Sequence, residues 1–225
     1  MSTFSRFRID SCVLVLLALV LASCGTSHKY RYYTLAPVPA VPDGIAADAG
    51  SVPPVLGIGP VTIPDYLDRP QIVLRTSRNE LVLSENSRWA GSLANDSVRV
   101  LEENLNSMLS EDGIAVVSWR RGVPNDYRVA VQVSRFDALT GGGVVLKAQW
   151  VIYGKDGKGV LLLRESDIRE PVLGADEDSA VEAMGKALTG LSREISQGLR
   201  QVRYNKLQQQ ESNILVLPGG ISPLE

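Results

Sequence analysis

The sequence predicts an α+β fold: a single domain with a mostly antiparallel sheet and two amphipathic helices packed on one face. Three observations point there. The regular elements follow the order strands, helix, strands, helix. Two segments, Trp89–Leu109 and Ser179–Tyr204, carry apolar residues at helical spacing. The remaining regular segments are short runs rich in Val, Ile, Leu and Thr that alternate or meet at turn residues. Residues 55–204 form the predicted domain, long enough to bury a core of its own.

The elements follow from local chemistry. Residues 24–54 read as a tether, because Leu35–Pro54 is dominated by Pro, Ala, Gly and Asp and has no period. Within it, 30–35 suits an edge strand, since Tyr and Thr fit pleated surfaces. Val55–Ile63 is a strand interrupted by glycines and Pro60, and Pro64–Pro70 is a loop bracketed by prolines. Gln71–Thr76 and Glu80–Ser84 flank Ser77-Arg78-Asn79 as a hairpin. In the first helix Trp89, Leu93, Leu101, Leu105 and Leu109 recur at multiples of four, joined by Val98 and Met108. Asn86 or Ser87 is placed to cap it, and Gly113 follows its end.

Strands return with Ile114–Trp119. Tyr127, Val129, Val131 and Val133 then alternate with Arg128, Ala130 and Gln132, the pattern of a half-buried antiparallel strand. Val144–Tyr153 and Val160–Ile168 pair around Gly154–Lys158, where Asp156-Gly157 signals a hairpin. Ser179 and Glu182 have capping-box spacing at the start of the last helix. Its stripe of Val181, Met184, Leu188, Leu191, Ile195, Leu199 and Val202 is read as packing on the sheet. Residues 205–225 are read as a tail, in which Ile214–Leu217 is an apolar run suited to adding a strand to a partner's sheet edge.

Composition removes several function classes. The 225 residues carry 23 basic and 25 acidic side chains, so there is no bulk field for nucleic acid. Two cysteines and one histidine cannot build a disulfide framework or a multi-histidine or multi-thiolate metal site. His28 has no catalytic partner in sequence, so no Ser-His-Asp or Cys-His arrangement can form. Gly57-Ile58-Gly59 fails as a dinucleotide fingerprint because Pro60 follows, and Gly141-Gly142-Gly143 lacks the Gly-Lys-Ser/Thr of a phosphate loop. Asp176-Glu177-Asp178 sits before a helix, where negative charge is favoured. No catalytic residue, metal or cofactor is therefore expected. What remains is a set of partner-binding candidates: Tyr66, Asp68 and Arg69 in the proline-bracketed loop, and Trp89. Tyr, Trp and Arg dominate interface energetics.

The N-terminus reads as an address. Arg6 and Arg8 precede Cys12–Ala22, an unbroken apolar run about half as long as the roughly 20 residues that span a bilayer. Leu21-Ala22-Ser23-Cys24 resembles a bacterial lipobox. That resemblance implies removal of residues 1–23 as a signal peptide and conversion of Cys24 to an acylated diacylglyceryl-cysteine. Gly25 stands where an aspartate would imply retention at the inner membrane, so the same resemblance implies the outer membrane. Loss of Arg6, Arg8 and Asp10 moves the formal net charge from −2 to −3. Loss of Cys12 leaves the folded part without thiol or disulfide.

The same chain carries Tyr32-Tyr33-Thr34-Leu35, Ile58-Gly59-Pro60-Val61, then Pro64-Asp65-Tyr66-Leu67-Asp68-Arg69-Pro70-Gln71-Ile72-Val73 and Arg88-Trp89-Ala90. With the lipobox, these segments resemble the PqiC (YmbA) family, the auxiliary lipoproteins of ABC-type, MCE-associated transport systems. The resemblance runs from Cys24 to about Val202. It implies a non-enzymatic lipoprotein on the periplasmic face of the outer membrane, held to the bilayer by its lipid anchor. Its implied partners are an MCE-domain protein and inner-membrane transport components, moving lipid between membranes and supporting membrane integrity. MCE assemblies are ring-like, so a homo-oligomer is the symmetric expectation. The alternative is a structural or assembly lipoprotein of another outer-membrane machinery.

Overall fold

The computed structural model describes residues 29–37, 53–120 and 124–215. Cys24 and His28 lie outside the described residues. The chain divides into two compact units, Met1–Arg31 and Tyr32–Glu225, and the core and both helices belong to the second. Among the described residues, the strands are β1 (Arg31–Tyr33), β2 (Val55–Thr62), β3 (Gln71–Arg75), β4 (Leu81–Trp89), β5 (Ala115–Ser118), β6 (Tyr127–Leu139), β7 (Gly143–Tyr153) and β8 (Val160–Glu170). The helices are α1 (Leu93–Leu109) and α2 (Glu177–Leu215).

The sheet is mostly antiparallel and is organised around β6. One edge of β6 pairs antiparallel with β7, which pairs antiparallel with β8, and these are the two longest ladders. The other edge takes two parallel partners in succession. β2 pairs with the first half of β6 (Leu56↔Tyr127 to Thr62↔Gln132), and β3 with its end (Leu74↔Ala138). β5 lies parallel outside β2, β4 antiparallel outside β3, and Tyr33 of β1 accepts a hydrogen bond from Ala90 N at 2.8 Å. The alternation in β6 was correctly that of a strand with one face on the core. The parallel edge is invisible in it, because those partners come from far earlier in the chain.

Both helices cover one face of the sheet. Leu56, Ile58, Val129, Val131, Leu146, Trp150 and Ile152 from the sheet meet Leu101, Leu105 and Leu109 of α1 and Leu188, Leu191, Ile195 and Leu199 of α2. All seven residues of the α2 stripe are buried. Trp150 packs so close to α2 that a Cβ at Gly198 would stand 2.7 Å from its ring. Its indole N–H donates to Ser166 Oγ at 2.9 Å, so the ring is buried without an unpaired donor. Asn104 on α1 donates to Thr189 Oγ1 of α2 at 3.1 Å and ties the helices together.

Four expectations need correction. Trp89 ends β4 instead of opening α1: its N–H donates to Pro70 O at 2.7 Å, and Gly91 separates the strand from the helix. Asn86 and Ser87 lie inside β4, and the cap position belongs to Ser92, whose carbonyl accepts from Asp96 N at 3.0 Å. Asp176 caps α2, with Oδ1 accepting from Ser179 N at 3.0 Å, so Ser179 is the third helical residue and not the cap. Finally, α2 does not stop at Tyr204 but runs to Leu215. Ile214 and Leu215 are helical and not part of a free strand, while 216–225 lie outside the described residues. The extension is a run of good helix formers, Lys206-Leu207-Gln208-Gln209-Gln210-Glu211, so propensity sustains it beyond the packed stripe.

Tyr32–Pro37 also proves to be part of the folded unit. Leu35 is fully buried. Its N–H donates to Asp96 Oδ2 at 3.2 Å and its carbonyl accepts from Arg99, both on α1. The carbonyl of Ala36 lies on α2, where a Cβ at Gly185 would stand 2.7 Å from it. The segment thus straps both helices, and Leu35 is the residue that pins it. Leu35→Ala is expected to cost about 2–4 kcal/mol, read as a lower urea midpoint at unchanged m-value. A loss below about 0.5 kcal/mol would mean that the strap is passive.

Candidate functional site

The sheet face turned away from the helices carries the polar chemistry. A bulge between Val133 and Arg135 changes the phase of β6. Before it Val129, Val131 and Val133 face the helices, and after it Phe136 and Ala138 do. Arg135 and Asp137 consequently lie on the open face, where Arg75 of neighbouring β3 also points.

The proline-bracketed loop covers this spot. Asp65–Leu67 is one 3-10 turn, closed by Leu67 N to Pro64 O at 2.9 Å. Leu67 is buried and anchors the loop in the core. Tyr66 reaches the other way, and its hydroxyl donates to Asp137 Oδ1 at 2.8 Å. Asp137 Oδ2 accepts from Arg75 Nε and, at 2.7 Å, from Arg135 Nε. The Arg75 guanidinium also stands 5.9 Å from the centre of the Tyr66 ring. Asp137 is 1% exposed, so a buried carboxylate is held by two guanidiniums and one phenol. Burial, then the hydrogen bond to Asp137, pushes the Tyr66 phenol above its ordinary range. The hydrogen bond to Asp137 raises Arg75 in turn, keeping it cationic.

Of the four predicted partner residues, Asp68 and Arg69 present exposed side chains. Tyr66 is half-buried, with its hydroxyl engaged by Asp137. Trp89 is 4% exposed and belongs to the core, so it offers no accessible partner surface. Asp137, Arg75 and Arg135 were missed. One signal for them exists in the sequence: apolar residues switch from odd positions (129, 131, 133) to even ones (136, 138), which marks the bulge and moves Asp137 to the open face.

Beside this cluster Gln132, Ser134, Lys147, Gln149, Glu165 and Asp167 line an open polar groove of about 450 Å³. Lys147 Nζ lies 2.7 Å from Asp167 Oδ2, and that hydrogen bond holds the Asp167 carboxyl below the usual carboxylate range. Ser134 Oγ donates to the carbonyl of Lys147 at 3.3 Å. Lysine and serine are thus each engaged elsewhere, and they do not form a base–nucleophile pair. Among the described residues no group of three or more His, Cys, Asp or Glu side chains is arranged to hold a metal, and no helix is long and apolar enough to cross a membrane.

The family model described as the ABC-type transport auxiliary lipoprotein component matches residues 33–196. The chain belongs to this family. The match takes in the Leu35 strap, the Pro64–Pro70 loop, Asp137 and α2 as far as Ser196, so the cluster lies within the matched residues. The intermembrane transport lipoprotein PqiC of Escherichia coli (strain K12) is 28% identical over 180 residues, covering 80% of this chain and 89% of that protein. PqiC of Shigella flexneri matches to the same extent. Two solved structures support the fold alone. The crystal structure of an uncharacterised protein has a TM-score of 0.63 at 23% identity and covers 76% of this chain and 99% of its own. That of a Xanthomonas campestris protein has a TM-score of 0.60 at 18% identity and covers 79% and 99%.

Proposed function

We propose that this auxiliary lipoprotein is a non-enzymatic component of an MCE/ABC-type intermembrane lipid transport system. Anchored through Cys24 at the periplasmic face of the outer membrane, it docks the periplasm-spanning MCE protein there and so supports membrane integrity. The observation that carries this reading is the family match over 33–196, which covers most of the folded unit. The relatives named intermembrane transport lipoprotein support the transport role. The open face, with its exposed Asp68 and Arg69 and its polar groove, suits protein contact better than chemistry.

The test is capture from native membranes. Full-length protein carrying a C-terminal tag, solubilised in mild detergent, is expected to bring down an MCE-domain protein identified by mass spectrometry. Recovery of barrel-assembly or peptidoglycan-linked proteins without any MCE-domain protein would transfer the chain to another outer-membrane machinery.

A further inference from the structure

We infer that the open sheet face around Arg128 is a docking site for an acidic protein segment, one of whose carboxylates sits on the Arg128 guanidinium between apolar contacts. This deepens the docking role proposed above and rests on it only for the identity of the partner.

Arg128 lies at the start of β6, opposite Tyr153 of β7, and points to the open face. Its guanidinium carbon is 4.9 Å from the centre of the Trp119 ring and 4.7 Å from that of Tyr153. Trp119 packs against Gly57 of β2, where a Cβ would come within 3.2 Å of the indole. Gly157, at φ +73°, closes a third side, where a Cβ would stand 2.9 Å from the guanidinium carbon. Nε is buried and has no hydrogen-bond partner. Arg75, Arg99, Arg135 and Arg200 each hold a carboxylate, whereas among the described residues none pairs with Arg128. The walls fix a cation in one orientation, partly desolvated, and leave only its terminal nitrogens to an incoming group. A fixed planar fork of that kind matches a carboxylate in bidentate geometry.

The surroundings extend the match. Lys155 and Lys158 stand on either side of Asp156-Gly157, and Arg120 follows Trp119; all three basic residues are exposed, and among the described residues none has a carboxylate partner. On the other side Val160 is in register with Tyr153, and Leu163 with Val151. Val160 and Leu163 are 61% and 55% exposed. Basic and apolar surfaces therefore adjoin, and β8 has no partner on its outer edge among the described residues, which leaves its main chain available to an extended segment. A protein segment is favoured over a membrane surface because both rings are half-buried and spent on stacking, not presented for insertion.

The experiment uses the full-length protein in detergent micelles and a fluorescent peptide of alternating Glu and Leu, with its Gln/Leu counterpart as control. The Glu peptide is expected to bind at least about tenfold more tightly than the Gln peptide. Arg128→Gln should lower that affinity by a similar factor, and Arg128→Lys should restore it only in part, because the fork is lost. Lys155→Glu with Lys158→Glu changes exposed residues only and should weaken binding in the same direction without touching the fold. Equal binding of the two peptides, or variants that bind like wild type, would overturn the site. An Arg128-dependent preference for phosphatidylglycerol over phosphatidylcholine vesicles, without peptide binding, would make it a headgroup site and overturn the protein reading. In the native-membrane capture, loss of the MCE-domain protein by Arg128→Gln supports the inference. Undiminished capture by that variant sinks it and leaves the transport role standing. No capture by wild type, with peptide binding intact, would sink the transport role alone.

Discussion

Asp137→Ala is expected to cost the domain about 3 kcal/mol and to free the Pro64–Pro70 loop. Removing one partner of a buried ion pair typically costs about 3–5 kcal/mol, because the charge left behind keeps its desolvation penalty without its compensation. Here two guanidiniums and a phenol lose their common acceptor. The lower end of that range applies because the Arg75 and Arg135 side chains are 16% and 33% exposed and can turn partly toward water. Asp137→Asn keeps an acceptor for Tyr66 and should lose less. Urea denaturation gives the size of the effect. Limited proteolysis between Asp65 and Arg69 tests the mechanism, since the side chains of Tyr66 and Leu67 hold that stretch of the loop down. A cost under about 1 kcal/mol, or a loop as resistant as in wild type, would show that the cluster is not the clasp its geometry describes. Replacing Asp137, Arg75 and Arg135 together by apolar residues of similar volume should recover stability, because the penalty belongs to the unpaired charge and not to the absence of the bridge.

That cluster also marks where reading the sequence stops. Elements with a long apolar period were legible: the seven-residue stripe of α2 is buried throughout, and β7 and β8 pair around the Asp156-Gly157 turn. Legibility failed where one local rule met a competing contact. Trp89 satisfies a helical spacing, yet its backbone is claimed by Pro70, so tertiary pairing overrode the period. Leu35 sits among prolines and alanines and carries no periodic signal; only the packed helices give it a place. The Pro64–Pro70 loop was correctly singled out as a feature. Its Tyr66 then turned out to serve Asp137, and pairing residues 71 positions apart needs the register of a bulged strand. Arg128, Trp119 and Tyr153 were invisible for the same reason, since their stack draws on β6, β7 and the residue following β5. A sequence shows which residues are costly to bury; it takes the register to show which of them meet.

Removing Cys24 together with the apolar leader is expected to release the protein from the membrane altogether. Each buried methylene contributes about 0.8 kcal/mol, and one acyl chain binds a bilayer with only about 10⁴ M⁻¹, which is reversible. In the proposed anchor, three chains on Cys24 would make attachment effectively permanent, and all three would depend on a single sulfur and the amine that its processing exposes. No graded loss is therefore expected. An uncleaved apolar run over Cys12–Ala22 would itself hold a Cys24→Ala variant at a membrane, so the decisive form joins residues from Gly25 onward to an ordinary cleavable secretory leader. That chain should appear in the soluble periplasmic fraction with the melting temperature of the native domain, because among the described residues the buried core begins at Leu35. It should also fail to restore membrane integrity to a strain lacking the gene. Recovery of this form with the membranes would mean that the domain binds a membrane by its own surface, and Val160, Leu163 and the Arg128 platform would be the first place to look. Recovery in the soluble fraction with integrity fully restored would mean instead that docking needs the domain but not its anchor.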